Sequence, residues 1–211
     1  TKNLFMQPLH PTSKEALIAC LLLAPLLQLI GDSLWVSRSF PYSWSLWREA
    51  SYIFFIPAGF FLARLIARKS ATWAVVACAF YVVGCFGSAA MMPLFRLGAF
   101  YPVQGANEFP TVVQSVLDKN AFAVTLFLPG LCFPVSLLLF GIAFLKHRVL
   151  PAAFGASFIL AGILFWLGNA MEINPILVVG DVWLLLLFCG LGYTIFKNSG
   201  RHTITALAAS V

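Results

Sequence analysis

Residues 166–181 read WLGNAMEINPILVVGD, a polar break between two apolar runs. Asn169 and Glu172 are three residues apart and share a helix face. Asn174-Pro175 then interrupts the helix, because a residue preceding proline is pushed out of the α region. Asp181 follows inside the next run. The apolar sequence on each side is long enough to span a bilayer, so the stretch reads as a tight hairpin joining two spanning helices. Ionisable groups at membrane depth are costly, and their default reading is functional.

The rest of the chain agrees with this setting. Of 211 residues 61% are hydrophobic and 9% charged, with a mean hydropathy of +0.94. A soluble domain carries roughly 25% charged residues, so this composition belongs in lipid. Six apolar runs can be drawn, at 15–36, 49–67, 72–96, 121–145, 149–171 and 175–196. They fill most of the chain, and the expectation is an all-α integral membrane protein: one domain over 1–211, with six transmembrane helices in a single bundle. Lys2 and Lys14 precede the first run as in a signal peptide, but its apolar part is too long for one, so it reads as a retained helix. Thr12-Ser13-Lys14-Glu15 has capping-box spacing at its start.

Positive charge sets the expected orientation. Lys2, Lys14, Arg64, Arg68, Lys69, Lys146, Arg148, Lys197 and Arg201 fall on the side of the termini, against Arg38, Arg48, Arg96 and Lys119 on the other. The positive-inside rule then puts both termini in the cytoplasm, with the cell membrane of a bacterium, its inner membrane, as the expected location. All the acids except Glu15 lie outward. The net charge of +6 is therefore a topology signal that also favours anionic inner-leaflet lipids as partners, with no nucleic-acid footprint.

Prolines 25, 57, 93, 129 and 134 fall inside the runs and predict kinks. Between runs one and two, Phe40, Tyr42, Trp44, Trp47 and Tyr52 gather around Arg38 and Arg48 as an interfacial aromatic belt. Gly84 and Ser88 in run three, and Ala153, Ser157 and Ala161 in run five, recur every four residues and predict close helix contacts. The third connection, 97–120, places Pro110, Val112, Val113, Val116 and Leu117 at helical spacing, which predicts a short amphipathic helix on the outer surface.

Several chemistries are disfavoured. His10, His147 and His202 fall outside the runs, so an axial haem pair is missing and no cofactor is predicted. Cys20, Cys78, Cys85, Cys132 and Cys189 form no CxxC and read as packing residues. No run has a central lysine for a retinal Schiff base. Asp32 and Asp181 stand at similar depth near the outer side, but a GxGD signature is absent, which leaves an intramembrane aspartate-dependent hydrolase as a remote reading and makes a non-enzyme the expectation.

The preferred expectation is an outward-facing polar pocket walled by helices one, three, five and six and lined by Gln28, Asp32, Arg96, Asn169, Glu172, Asn174 and Asp181. Arg96 is the expected partner of an acid. Such a pocket suits a small molecule or a cation or proton, in transport or sensing. The alternative is a non-catalytic membrane subunit or assembly partner, meeting another membrane protein or its own copies through an exterior rich in its 21 Phe.

Overall fold

The computed structural model describes residues 11–37, 43–100, 120–170 and 173–208, with side chains described over 15–37, 43–93, 128–169 and 173–197. Six helices occur among the described residues: α1 (Pro11–Ser37), α2 (Ser43–Ala67), α3 (Ala71–Phe100), α4 (Asn120–His147), α5 (Ala152–Ala170) and α6 (Asn174–Ala208). Each contains an apolar segment long enough to cross a bilayer, and the protein is an all-α, multi-pass membrane protein. Prolines 25, 57, 93, 129 and 134 lie inside α1 to α4.

Helices extend beyond the apolar runs that announce them. α2 begins at Ser43 rather than 49, and α6 continues to Ala208 rather than stopping near 196, which places His202 within a helix. Hydropathy marks where lipid begins. The backbone keeps its i to i−4 bonds past that point because each added residue closes another bond at little further cost. The amphipathic helix predicted around Pro110–Asp118 lies outside the described residues.

The short connections are closed by local bonding. Ser70 caps α3: the Trp73 amide donates to its Oγ at 3.5 Å and the Ala74 amide to its carbonyl at 3.2 Å. Arg148 follows the end of α4 with a left-handed φ of 49°, while the Val149 amide reaches back to the Phe144 carbonyl at 3.2 Å. Ile173 supplies the first carbonyl of α6, accepting from the Leu177 amide at 3.1 Å.

Packing follows chain order. α1 lies on α2, α2 on α3, α3 on α4, α4 on α5 and α5 on α6, and α6 returns to pack on α1. The ring therefore has five sequential contacts and closes at the α1–α6 seam, with a smaller contact of α2 on α4 across it. At the α3–α4 contact, a Cβ on Gly87 would meet Pro129 Cβ at 2.5 Å and one on Gly84 would enter the Phe133 backbone, so these glycines set the approach. On α5 the close face is Gly155, Phe158 and Gly162 rather than the predicted Ala153, Ser157 and Ala161; of those three Ala161 is buried while Ala153 faces outward.

Aromatic rings fill the interior. Phe55 contacts Tyr81, Phe133 and Phe188, with ring centroids 6.4, 5.2 and 5.8 Å away, and Phe133 continues to Phe165 at 5.1 Å. Farther along, Phe144 meets Phe158 at 5.3 Å and Phe158 meets Phe188 at 6.0 Å. Such pairs contribute roughly 0.5–1.5 kcal/mol each beyond the area they bury. Among the described residues Phe55, Phe133, Phe140, Phe144, Phe158, Phe165 and Phe188 are internal, while Phe60, Phe80, Phe86 and Phe196 face outward.

The alternating helices separate charge between the two ends of the bundle. One end holds Arg64, Arg68, Lys69, Lys146, Arg148 and Lys197 with Glu15; the other holds Asp32, Glu49 and Asp181 with Arg48.

Candidate functional site

The second end contains a connected group of buried polar side chains where α1 and α6 close the ring. Gln28 and Asp32 lie one turn apart on α1, and both have 0% exposure. Gln28 Nε2 donates to Asp32 Oδ2 at 2.9 Å, and the Ser51 hydroxyl on α2 donates to Gln28 Oε1 at 2.8 Å. Both ends of the glutamine amide are thereby satisfied by neighbours inside the bundle.

Arg48 supplies the cation. Its Nε stands 3.0 Å from Asp32 Oδ1, an ion pair in which the N–H is not aligned as a hydrogen bond. A terminal guanidinium nitrogen donates to Asn169 Oδ1 at 2.9 Å, and Asn169 Nδ2 donates to the Phe165 carbonyl at 2.9 Å. The Arg48 group thus ties α1, α2 and α5 together. Its guanidinium also lies 6.0 Å from the centre of the buried Trp44 ring, and the Tyr52 hydroxyl is within its reach. Local sequence explains how the arginine arrives. Gly31 precedes Asp32, and a Cβ there would fall 2.7 Å from Arg48 Cγ and 2.9 Å from the Trp44 carbonyl, so only glycine lets α1 and α2 approach this closely.

Asp181, on α6, is the unsettled member. It has 0% exposure, and neither carboxyl oxygen accepts a hydrogen bond among the described residues. Its carboxyl lies beside that of Asp32 and within electrostatic reach of Arg48. The centre therefore sets two carboxyls against one guanidinium. With all three ionised it would carry one uncompensated negative charge at a place where lone buried charge is expensive.

Of the expected lining, Gln28, Asp32, Asn169 and Asp181 converge. Asn174 is exposed at the start of α6 and stays apart. The side chain of Arg96, and the whole of Glu172, lie outside the described residues. Among the described residues the site is walled by α1, α2, α5 and α6, with Ser88 of α3 beside Tyr52, and the cation that meets Asp32 there is Arg48. Arg48, Ser51 and Tyr52 were not among the expected residues. Their positions at i, i+3 and i+4 would have exposed a common polar face had α2 been drawn from Ser43. Trp44 and Tyr52, expected in the interfacial belt, are buried instead, while Trp47 remains exposed.

Among the described residues no group of three or more His, Cys, Asp or Glu side chains is placed to hold a metal ion. The arrangement is suited to holding a single proton, because a proton between the two carboxyls would make one of them a donor to the other. No protein family, characterised protein or solved structure matches this chain, so its role rests on its own residues.

Proposed function

We propose that the protein binds and releases a proton at the Asp32–Asp181 pair and uses that change of charge in transport or sensing across the membrane. The observation that carries the reading is Asp181: a carboxyl with 0% exposure inside a spanning helix, with neither oxygen hydrogen-bonded among the described residues, beside a second acid already paired to Arg48. A proton suits the centre better than a metal cation, since Arg48 already occupies the Asp32 side and a second compact cation would sit against the guanidinium. Charge at the α1–α6 seam acts on the contact that closes the ring, so gain or loss of a proton bears on how firmly the bundle closes. The surplus of basic residues at the opposite end supports an orientation with that end in the cytoplasm and the acid pair near the outer face, in a bacterial inner membrane.

The test is proton uptake by the purified protein. In a weakly buffered detergent solution, a full titration from acid to alkali should release about one proton fewer from Asp181→Asn than from the unaltered protein. Proteoliposomes carrying an internal pH dye then report whether that proton crosses the membrane. Equal proton release from the two proteins, with the variant still monodisperse, would remove the reading.

A further inference from the structure

A second feature lies at the basic end, far along the bundle from the acid pair. α2 and α3 part there to leave a groove of about 440 Å³, lined from Phe60 to Ala67 on α2, by Arg68 just after it, and from Ala71 to Val82 on α3. Its floor is kept open by small side chains, Ala63, Ala67, Ala74 and Ala79 among them. Along α3 the lining residues run for eleven positions, about 16 Å at 1.5 Å per residue. That is about half of a hydrocarbon core roughly 30 Å thick, so the groove spans one leaflet and stops near the bilayer middle.

We propose that this groove is a binding site for one acyl chain of an anionic phospholipid whose phosphate is held by Arg68. The groove is apolar along its length and bears its cation at the mouth, where the headgroup of a lipid in that leaflet would stand. Lys69 follows Arg68, and Arg64 lies one turn before it. Glu15 is the one acid at this end among the described side chains, against six basic residues, so the charge complements an anionic headgroup. A cation at one end of an otherwise apolar groove matches a lipid, whose charge stands at the end of its chains, better than it matches an apolar helix. The volume also falls within the range of roughly 300–1,000 Å³ typical of ligand sites.

The test uses the full chain in detergent with dioleoyl phosphatidylglycerol and dioleoyl phosphatidylcholine as probes, with bound lipid read by native mass spectrometry. Arg68→Gln removes the headgroup contact, and Ala79→Phe fills the groove from an outward-facing position that leaves the interior packing alone. Arg148→Gln, at the same end but away from the groove, is the control. Arg68→Gln should weaken phosphatidylglycerol binding about fivefold, the worth of one basic residue near an anionic surface, and leave phosphatidylcholine unchanged. Ala79→Phe should weaken both lipids, and Arg148→Gln should leave both as they were. Phosphatidylglycerol binding unaltered by both Arg68→Gln and Ala79→Phe would overturn the site. So would an equal loss in Arg68→Gln and Arg148→Gln, which would mean diffuse attraction to a charged surface. A dimer dispersed by Ala79→Phe without change in lipid binding would overturn it too, assigning the groove to a second copy of the chain.

Discussion

Removing Arg48 should be far more damaging than removing the acid it touches. Asp32 and Asp181 have 0% exposure and the Arg48 side chain 11%, so all three stand essentially out of water. Arg48→Gln leaves two neighbouring carboxyls with no cation and also removes the bond to Asn169. Breaking a buried ion pair in this way costs about 3–5 kcal/mol. Asp32→Asn has a different outcome, since Arg48 and Asp181 remain as one positive and one negative group and the new amide can still bond to Gln28. What is lost is the ion pair across 3.0 Å and the charge on the Gln28 bond, at about 1.5–3 kcal/mol, the worth of a bond to a charged group. The two variants should therefore separate by about 1.5–2 kcal/mol, at least a tenfold difference in the unfolding equilibrium. Neutralising all three residues with Asp32→Asn, Arg48→Gln and Asp181→Asn together should recover to within about 1 kcal/mol of the unaltered protein, because a neutral hydrogen-bonded set replaces a buried ionic one at little net cost. Unfolding by sodium dodecyl sulfate in mixed micelles, followed by tryptophan fluorescence and circular dichroism, supplies the free energies. If Asp32→Asn proved as destabilising as Arg48→Gln, or the triple variant no better than the arginine variant, the idea of two acids sharing one cation would be wrong.

Three further outcomes test the frame around this centre. Gly31→Ala puts a methyl 2.7 Å from Arg48 Cγ and should cost about 1–3 kcal/mol by the same unfolding assay, as forced overpacking does; the spare space that would make it neutral is not what the geometry offers. Asn169→Leu breaks one bond to Arg48 at an exposed position and should cost only about 0.6 kcal/mol, so a loss several times larger would mean that Asn169 holds more than this contact. Arg148→Gly relieves a left-handed residue at the end of α4 and should raise stability by about 1 kcal/mol, measured as a higher unfolding midpoint; a fall would show that the arginine side chain matters more than its backbone strain.

The spanning helices were legible because lipid imposes one rule on the chain: every backbone amide must be bonded internally, and a long apolar run does so by forming a helix. Six runs, and six spanning helices among the described residues, follow from that rule. The ends were less legible, because polar and aromatic residues at the headgroups continue a helix as readily as they leave it. Ser43 to Trp47 is such a segment, and reading it as connection removed one and a half turns from α2.

That same displacement hid the cation of the site. A charged residue beside Trp and Ser at the edge of an apolar run looks interfacial when counted by hydropathy, and Arg48 was grouped with the aromatic belt. Once α2 begins at Ser43, Arg48 stands five residues inside the helix, about 7.5 Å along its axis, on the face that also carries Ser51 and Tyr52. Asp32 stands five residues from the end of α1, at the same depth. What brings them into contact is the missing side chain of Gly31, a feature that signals nothing by itself in a sequence containing 15 glycines. The acids could be recognised singly because an ionised group among apolar neighbours is conspicuous. Their assembly depends on α6 returning to α1 across the whole chain, and no local spacing encodes that. The Asp32–Asp181 pair is therefore a product of ring closure, and any variant that loosens the α1–α6 seam should separate the acids before it disturbs the five sequential contacts of the bundle.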